Sequence, residues 1–319
     1  MSIASIDFGT EALAAPEEDS QLRMVWRRFK RHKLALVGLF IVAALFLFSF
    51  VGPVVSPYSS IKIPTADLLK TRDLGPGACW TSSVGERHCH VLGTDSVGRD
   101  YLTRLMQGGR VSLSLALIVV ISAQMLGMIV GAISGYFGGW VDVIIMRFVD
   151  FMLTLPDLPI FLIIAVLVGE RMKDIPGGSV TVVGAIFIFF GWTGPARLVR
   201  GMVLSLKTQE FTDAARALGA SDRRIILRHM LPNSVAPILV SATLGVGGVV
   251  IGEAALSYLG FGVRAPFPSW GNLLQGTQSY MLSQPFRVFY PGFLILLISL
   301  SFNFIGDALR DALDPRLKL

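Results

Sequence analysis

Asp157 and Glu253 each fall inside a run of apolar residues long enough to cross a bilayer. A carboxylate at that depth has to pair, be protonated or face water. Two kinds of chemistry use such a group: contact with a solute in transit, or a hydrogen bond that fixes neighbouring helices. Both are translocation-path candidates; for Asp157 the alternative is an acid held in a helix contact. For Glu253, a gate contact and a structural hydrogen bond both stay open. Cys79 and Cys89 stand among Gly75, Pro76, Gly77 and Gly85, a composition that lets a loop fold back. They are a disulfide candidate if that loop meets an oxidising compartment, the alternative being two inert thiols. His88 and His90 flank Cys89, but adjacent ligands point apart and no second C-x-x-C or H-x-x-x-H follows, so no metal site is expected. No catalytic residue is expected either, because the four histidines, His32, His88, His90 and His229, are scattered along the chain. A G-x-x-x-x-G-K-[ST] phosphate loop is missing, so ATP cannot be cradled in the usual way.

The elements that hold these residues follow from composition. With 53% hydrophobic and 16% charged residues among 319 and a mean hydropathy of +0.63, most of the chain cannot belong to a water-soluble domain. A helix crossing the ~30 Å of hydrocarbon needs about 20 mainly apolar residues. Six runs qualify: Leu34–Val55, Val111–Ser134, Val143–Val168, Val180–Val199, Val235–Leu259 and Phe289–Ile305. The fold class expected is an all-α membrane protein of six transmembrane helices, both ends on one side.

Basic residues orient it. Arg23, Arg27, Arg28, Lys30, Arg31 and Lys33 precede the first run. Arg197, Arg200, Lys207, Arg216, Arg223, Arg224 and Arg228 sit between the fourth and fifth, and Arg310, Arg316 and Lys318 follow the last. The opposing short loops carry only Arg171 and Lys173, then Arg264 and Arg287. Residues 1–33 and 311–319 are therefore expected as cytoplasmic tails, 34–55 as the first span, 56–110 as an extracytoplasmic loop, and 111–310 as a five-helix core with a cytoplasmic hairpin at 200–234. This asymmetry accounts for most of the net charge of +6 and leaves no basic soluble face for nucleic acid. The acidic start, Asp7, Glu11, Glu17, Glu18 and Asp19, reads as a disordered tail rather than a signal peptide, and the first span as an uncleaved signal anchor.

Gly127, Gly131 and Gly135 share one helix face and suit a close backbone contact. Arg147 and Asp150 are spaced for an ion pair on one helix face. Pro156 and Pro159 interrupt the third span on either side of Asp157. In the hairpin, Lys207–Leu218 is rich in helix formers and Gly219 suits the left-handed position that ends a helix. Ser221 can cap a second helix, Asp222–Met230, which Pro232 is expected to close. Ala214, Ala215 and Ala217 keep the surface small, and Phe211 and Leu218 offer anchoring bulk.

The order Asp213-Ala214-Ala215, Gly219, Leu231-Pro232 resembles the EAA signature of permease subunits of bacterial ABC importers, with Asp213 in place of Glu and His229 where Ile is frequent. The literal Glu253-Ala254-Ala255 is a decoy, because Leu259 stands six residues on and the string lies in an apolar span. The stretch His90-Val-Leu-Gly93-Thr94-Asp95-Ser-Val-Gly98-Arg99-Asp100 is similar to an external motif of the C-type subunit of dipeptide and oligopeptide permeases. Gly138-Gly139-Trp140-Val-Asp142, Ala255-Leu-Ser257-Tyr-Leu259-Gly260-Phe-Gly262 and Pro268-Ser269-Trp270-Gly271-Asn272 are similar to the same subfamily. The likeness runs from about Arg27 to Pro315, while the cysteines lie outside its signature.

That resemblance implies a binding-protein-dependent, MetI-like permease core in a bacterial plasma membrane. It implies that Phe211, Thr212, Asp213, Ala214, Ala215, Arg216, Ala217, Leu218, Gly219 and Ala220 contact a partner ATPase, where ATP and Mg would bind. It also implies a second permease subunit, one or two ATP-binding subunits, an extracytoplasmic substrate-binding protein and membrane lipid as partners, with dipeptides or oligopeptides as cargo and nickel complexes or oligosaccharides as the alternative. Two other classes compete. A secondary transporter would use Asp157 or Glu253 for ion coupling, but it leaves the hairpin unexplained and no internal repeat is visible. A membrane enzyme lacks a convergent catalytic set.

Overall fold

Apolar stretches that cannot hydrogen-bond their backbone to lipid must coil on themselves. The computed structural model describes residues 21–61, 68–82, 85–172 and 174–313, and they form helices with one short β-hairpin. The acidic start from Asp7 to Asp19, Lys173, Arg316 and Lys318 lie outside the described residues. The helices are α1 (Gln21–Phe29), α2 (Lys33–Phe50), α3 (Gly52–Val55), α4 (Leu68–Thr71), α5 (Tyr101–Phe137), α6 (Gly139–Thr154), α7 (Asp157–Gly169) and α8 (Gly178–Gly191). They continue as α9 (Thr193–Lys207), α10 (Glu210–Ala217), α11 (Asp222–Ile225), α12 (Leu231–Tyr258), α13 (Trp270–Leu274) and α14 (Phe286–Leu313). Strands β1 (Cys79–Thr81) and β2 (Arg87–Cys89) pair antiparallel, with Cys79 opposite Cys89.

Five helical stretches are long and apolar enough to cross a membrane: Lys33–Val55, Tyr101–Phe137, Gly178–Lys207, Asp222–Tyr258 and Phe286–Leu313. The sixth is α6 with α7, bent by 89° where Leu155 and Pro156 interrupt the helix. Helix α5 is the hub, packing on α2, α8, α9 and α12. Its glycine face meets α9 closely: a Cβ on Gly131 would lie 2.3 Å from the Ala196 carbonyl oxygen. Buried Leu105, Leu113, Trp270 and Ile298 form the core at the loop end. At the hairpin end Val199, Val203, Ile225 and Met230 form another.

Several boundaries differ from expectation. Helix α5 starts at Tyr101, ahead of Val111, because Asp100 caps it by accepting from the Thr103 amide. Hydropathy marks the stretch that suits lipid, not the end of the coil. The first hairpin helix starts at Glu210, not Lys207, after a break at Thr208 and Gln209. Pro232 closes nothing: a π-turn over Ile226–Met230 joins α11 to α12 in one continuous coil. Proline cannot donate an amide, and side chains serve carbonyls nearby, Asn233 Nδ2 donating to His229 O at 2.6 Å and Ser234 Oγ to Met230 O at 2.9 Å. Asp150 pairs with Arg197 across the helix packing at 2.5 Å, instead of with Arg147. The last helix continues to Leu313, into the stretch expected as a tail.

Candidate functional site

The hairpin is held from below and bare on top. Thr212 is fully buried, and its hydroxyl donates to the Leu206 carbonyl at 2.8 Å, folding α10 back on the end of α9. Gly219, at φ 78°, turns the chain between the helices, a conformation that glycine adopts without a Cβ clash. Ser221 then caps α11 by accepting from the Arg224 amide. Ala215 and Ala220 pack on the Val199–Ile225 cluster. Asp213, Ala214, Arg216, Ala217, Leu218 and Gly219 face outward. Leu218 is 88% exposed, and Phe211 is exposed beside the His229 ring. Small side chains around one protruding leucine leave a low platform on which another protein can seat closely.

The last turn of α5 anchors this platform. The Tyr136 hydroxyl donates to Asp222 Oδ1 at 2.6 Å, while Lys207 and Arg216 lie over its ring at 5.8 and 5.7 Å. Arg200 grips Asp142 with Nε and Nη2, and Ser134 donates to the same carboxylate. Helices α5, α6 and α9 are thereby tied together at the hairpin end.

The two acids separate. Asp157 is the first residue of α7, at the bend, and it lines a cleft of roughly 300 Å³ with side chains of α5, α6, α8 and α12. Glu253 is 1% exposed and receives three hydroxyls: Ser257 at 2.6 Å, Ser269 at 2.7 Å and Ser112 at 3.1 Å. Each of those hydroxyls in turn accepts a backbone amide, from Val263, Asn272 and Trp270 respectively. Of the two readings open for Glu253, this is the structural hydrogen bond, joining α12 to α5 and to the Ser269–Trp270 turn.

At the loop end, Cys79 and Cys89 are joined by a disulfide. The Trp80 indole donates to His90 Nε2 at 3.2 Å, so the other ring nitrogen, Nδ1, is left to donate to Asp100 Oδ1 at 2.8 Å. Burial pushes the Asp100 carboxyl up, but hydrogen bonds from His90 and Thr103 outweigh it and hold it below the ordinary carboxylate range. Arg287 reaches across from α14 to Asp73 and to the Thr94 carbonyl, both at 2.7 Å. The motif from His90 to Asp100 is thus a knot that fixes the start of α5. Among the described residues no group of three or more His, Cys, Asp and Glu side chains is placed to hold a metal.

Residues 127–319 match the family described as binding-protein-dependent transport system inner membrane component. The chain belongs to that family. Residues 20–75 also match the N-terminal transmembrane domain of oligopeptide transport permease C. The permease is 38% identical over 313 residues to the dipeptide transport system permease protein DppC of Alkalihalophilus pseudofirmus, covering 97% of this chain and 96% of that one. It is 36% identical over 293 residues to the oligopeptide transport system permease protein OppC of Bacillus subtilis, covering 91% and 88%. It is 36% identical over 296 residues to the glutathione transport system permease protein GsiD of Pectobacterium atrosepticum, covering 93% and 91%. The permease is a multi-pass membrane protein of the transport class.

Sequence reasoning missed Tyr136 and the serine shell of Glu253. Ser257 had a signal, standing one helical turn after Glu253. Ser112 and Ser269 come from distant segments and had none.

Proposed function

We propose that this permease forms half of the transmembrane pathway of an ATP-driven importer of peptides. It pairs with a second permease, rests on cytoplasmic ATPases through the hairpin, and receives cargo from an extracytoplasmic binding protein. Both termini and the hairpin face the cytoplasm, consistent with the Lys and Arg excess around them. The observation that carries the reading is the exposed platform around Leu218, joined by the Gly219 turn to the membrane-length helix that begins at Asp222. Peptide cargo is supported by relatives named for dipeptide and oligopeptide transport. No catalytic role falls to this chain, and ATP and Mg belong to the partners.

The test is co-purification of ATPase subunits with the tagged permease. Ala217→Asp and Leu218→Asp put charge on the platform without entering the core, and each is expected to abolish capture while membrane insertion persists. Undiminished capture by both variants overturns the coupling role, and peptide uptake by this chain alone in ATP-free vesicles overturns the whole reading.

A further inference from the structure

The cleft at the bend between α6 and α7 holds polar groups that its walls leave unsatisfied. Most of its lining is apolar, and the groups that break the pattern are Asp157, Gln124 and Thr193. Thr193 is spent, its hydroxyl donating to the Phe190 carbonyl at 2.9 Å. Asp157 is exposed, with no hydrogen bond or ion pair among the described residues. Gln124 is only 8% exposed. Its Nε2 donates to Ser241 Oγ at 3.0 Å, and its Oε1 has no partner.

A buried amide oxygen left alone costs about 1–3 kcal/mol, and an unpaired carboxylate inside a membrane span costs more. Both open positions are acceptors, and no Lys, Arg or His lines the cleft. A group that completes such a site brings positive charge and several N–H donors. The place also matters: Val119 and Val120, on the cleft wall, lie half-way along α5, so the site falls near the middle of the crossing.

We propose that this cleft binds the ammonium group of the cargo in transit, Asp157 supplying the opposite charge and Gln124 Oε1 a second acceptor. The inference rests on the peptide-import reading, since every unmodified peptide carries an α-amino group that loses its water on entering the membrane. One charge and one amide make a site strong enough to admit the amine and weak enough to release it, as conduction requires.

The experiment uses the whole importer, with both permeases, ATPases and binding protein, reconstituted in proteoliposomes. Uptake is measured for radiolabelled tri-alanine and for its analogue with a hydroxyl in place of the amino group, each with saturating binding protein. The wild type is expected to favour the amine. Asp157→Asn should reduce that amine-to-hydroxyl ratio about tenfold, the worth of one charged hydrogen bond, Gln124→Leu should reduce it less, and Asp157→Glu should retain it. A ratio in Asp157→Asn equal to wild type assigns selection to the binding protein and overturns the inference alone. Loss of the second permease from purified Asp157→Asn assigns the carboxylate to the subunit interface and also overturns it. Absence of tri-alanine uptake by the wild-type importer overturns the peptide reading and this inference with it.

Discussion

The Tyr136 hydroxyl donates to the Asp222 carboxylate across 2.6 Å, joining the last turn of α5 to the first residue of α11. A hydrogen bond to a charged group contributes about 1.5–3 kcal/mol. Tyr136→Phe keeps the ring beneath Lys207 and Arg216 and removes only that bond. Peptide transported per ATP hydrolysed is expected to fall several-fold in the reconstituted importer, with permease abundance unchanged. An unaltered ratio would make the bond a bystander.

Gly131 faces α9 with no room for a side chain, as its distance to Ala196 requires. Gly131→Ala should lower the thermal midpoint of the purified permease by the equivalent of about 1–3 kcal/mol, the usual range for overpacking. Gly201, on α9, has nothing within 4 Å of where a Cβ would stand. Gly201→Ala should be neutral or stabilising by up to about 1 kcal/mol, through helix propensity alone. Equal midpoints for the two variants would show that the glycine face is loosely packed.

Glu253 is the common acceptor for three hydroxyls whose own lone pairs take backbone amides. Glu253→Leu leaves those donors facing an apolar group, at about 1–3 kcal/mol for each one unsatisfied. Glu253→Gln keeps one acceptor oxygen and should be the milder change. The expected order of thermal midpoints is wild type, Gln, then Leu. Leu at or above Gln would show that the hydroxyls find other partners.

Asp100 gives a dependence on pH. Its carboxyl is held below the ordinary range in the folded chain, so the stability it contributes is present above the unfolded value and is lost as pH falls through the folded one. The midpoint of Asp100→Asn should lie below wild type at pH 7, and the gap should begin to close below about pH 4. A gap constant from pH 7 to pH 3 would exclude the carboxylate as its source.

The periodic and punctuating residues made much of the fold legible. Apolar runs located the crossings, Pro156 located the break in the third, and Gly219 with Ser221 located the turn of the hairpin. Failures arose where one rule was outweighed by contacts outside its window. Proline within a helix usually ends or kinks it, yet Pro232 follows a π-turn and the coil runs on through it. Arg147 and Asp150 had the right spacing, but Arg197 from another helix took the carboxylate. The depth of Glu253 was legible, whereas its serine shell was not, because Ser112 and Ser269 become neighbours only after three helices have packed.

The uninterrupted coil from Asp222 to Tyr258 makes the second arm of the hairpin one piece with a membrane-length helix. On either side of α10 the chain bends, at Thr208 and Gln209 towards α9 and at Gly219 towards α11; beyond Asp222 the coil runs on unbroken. At 1.5 Å per residue, Asp222 and Glu253 stand roughly 45 Å apart on one shaft. A displacement of Asp222 would be carried along that shaft to the opposite face, where Ser112 and Ser269 clasp Glu253.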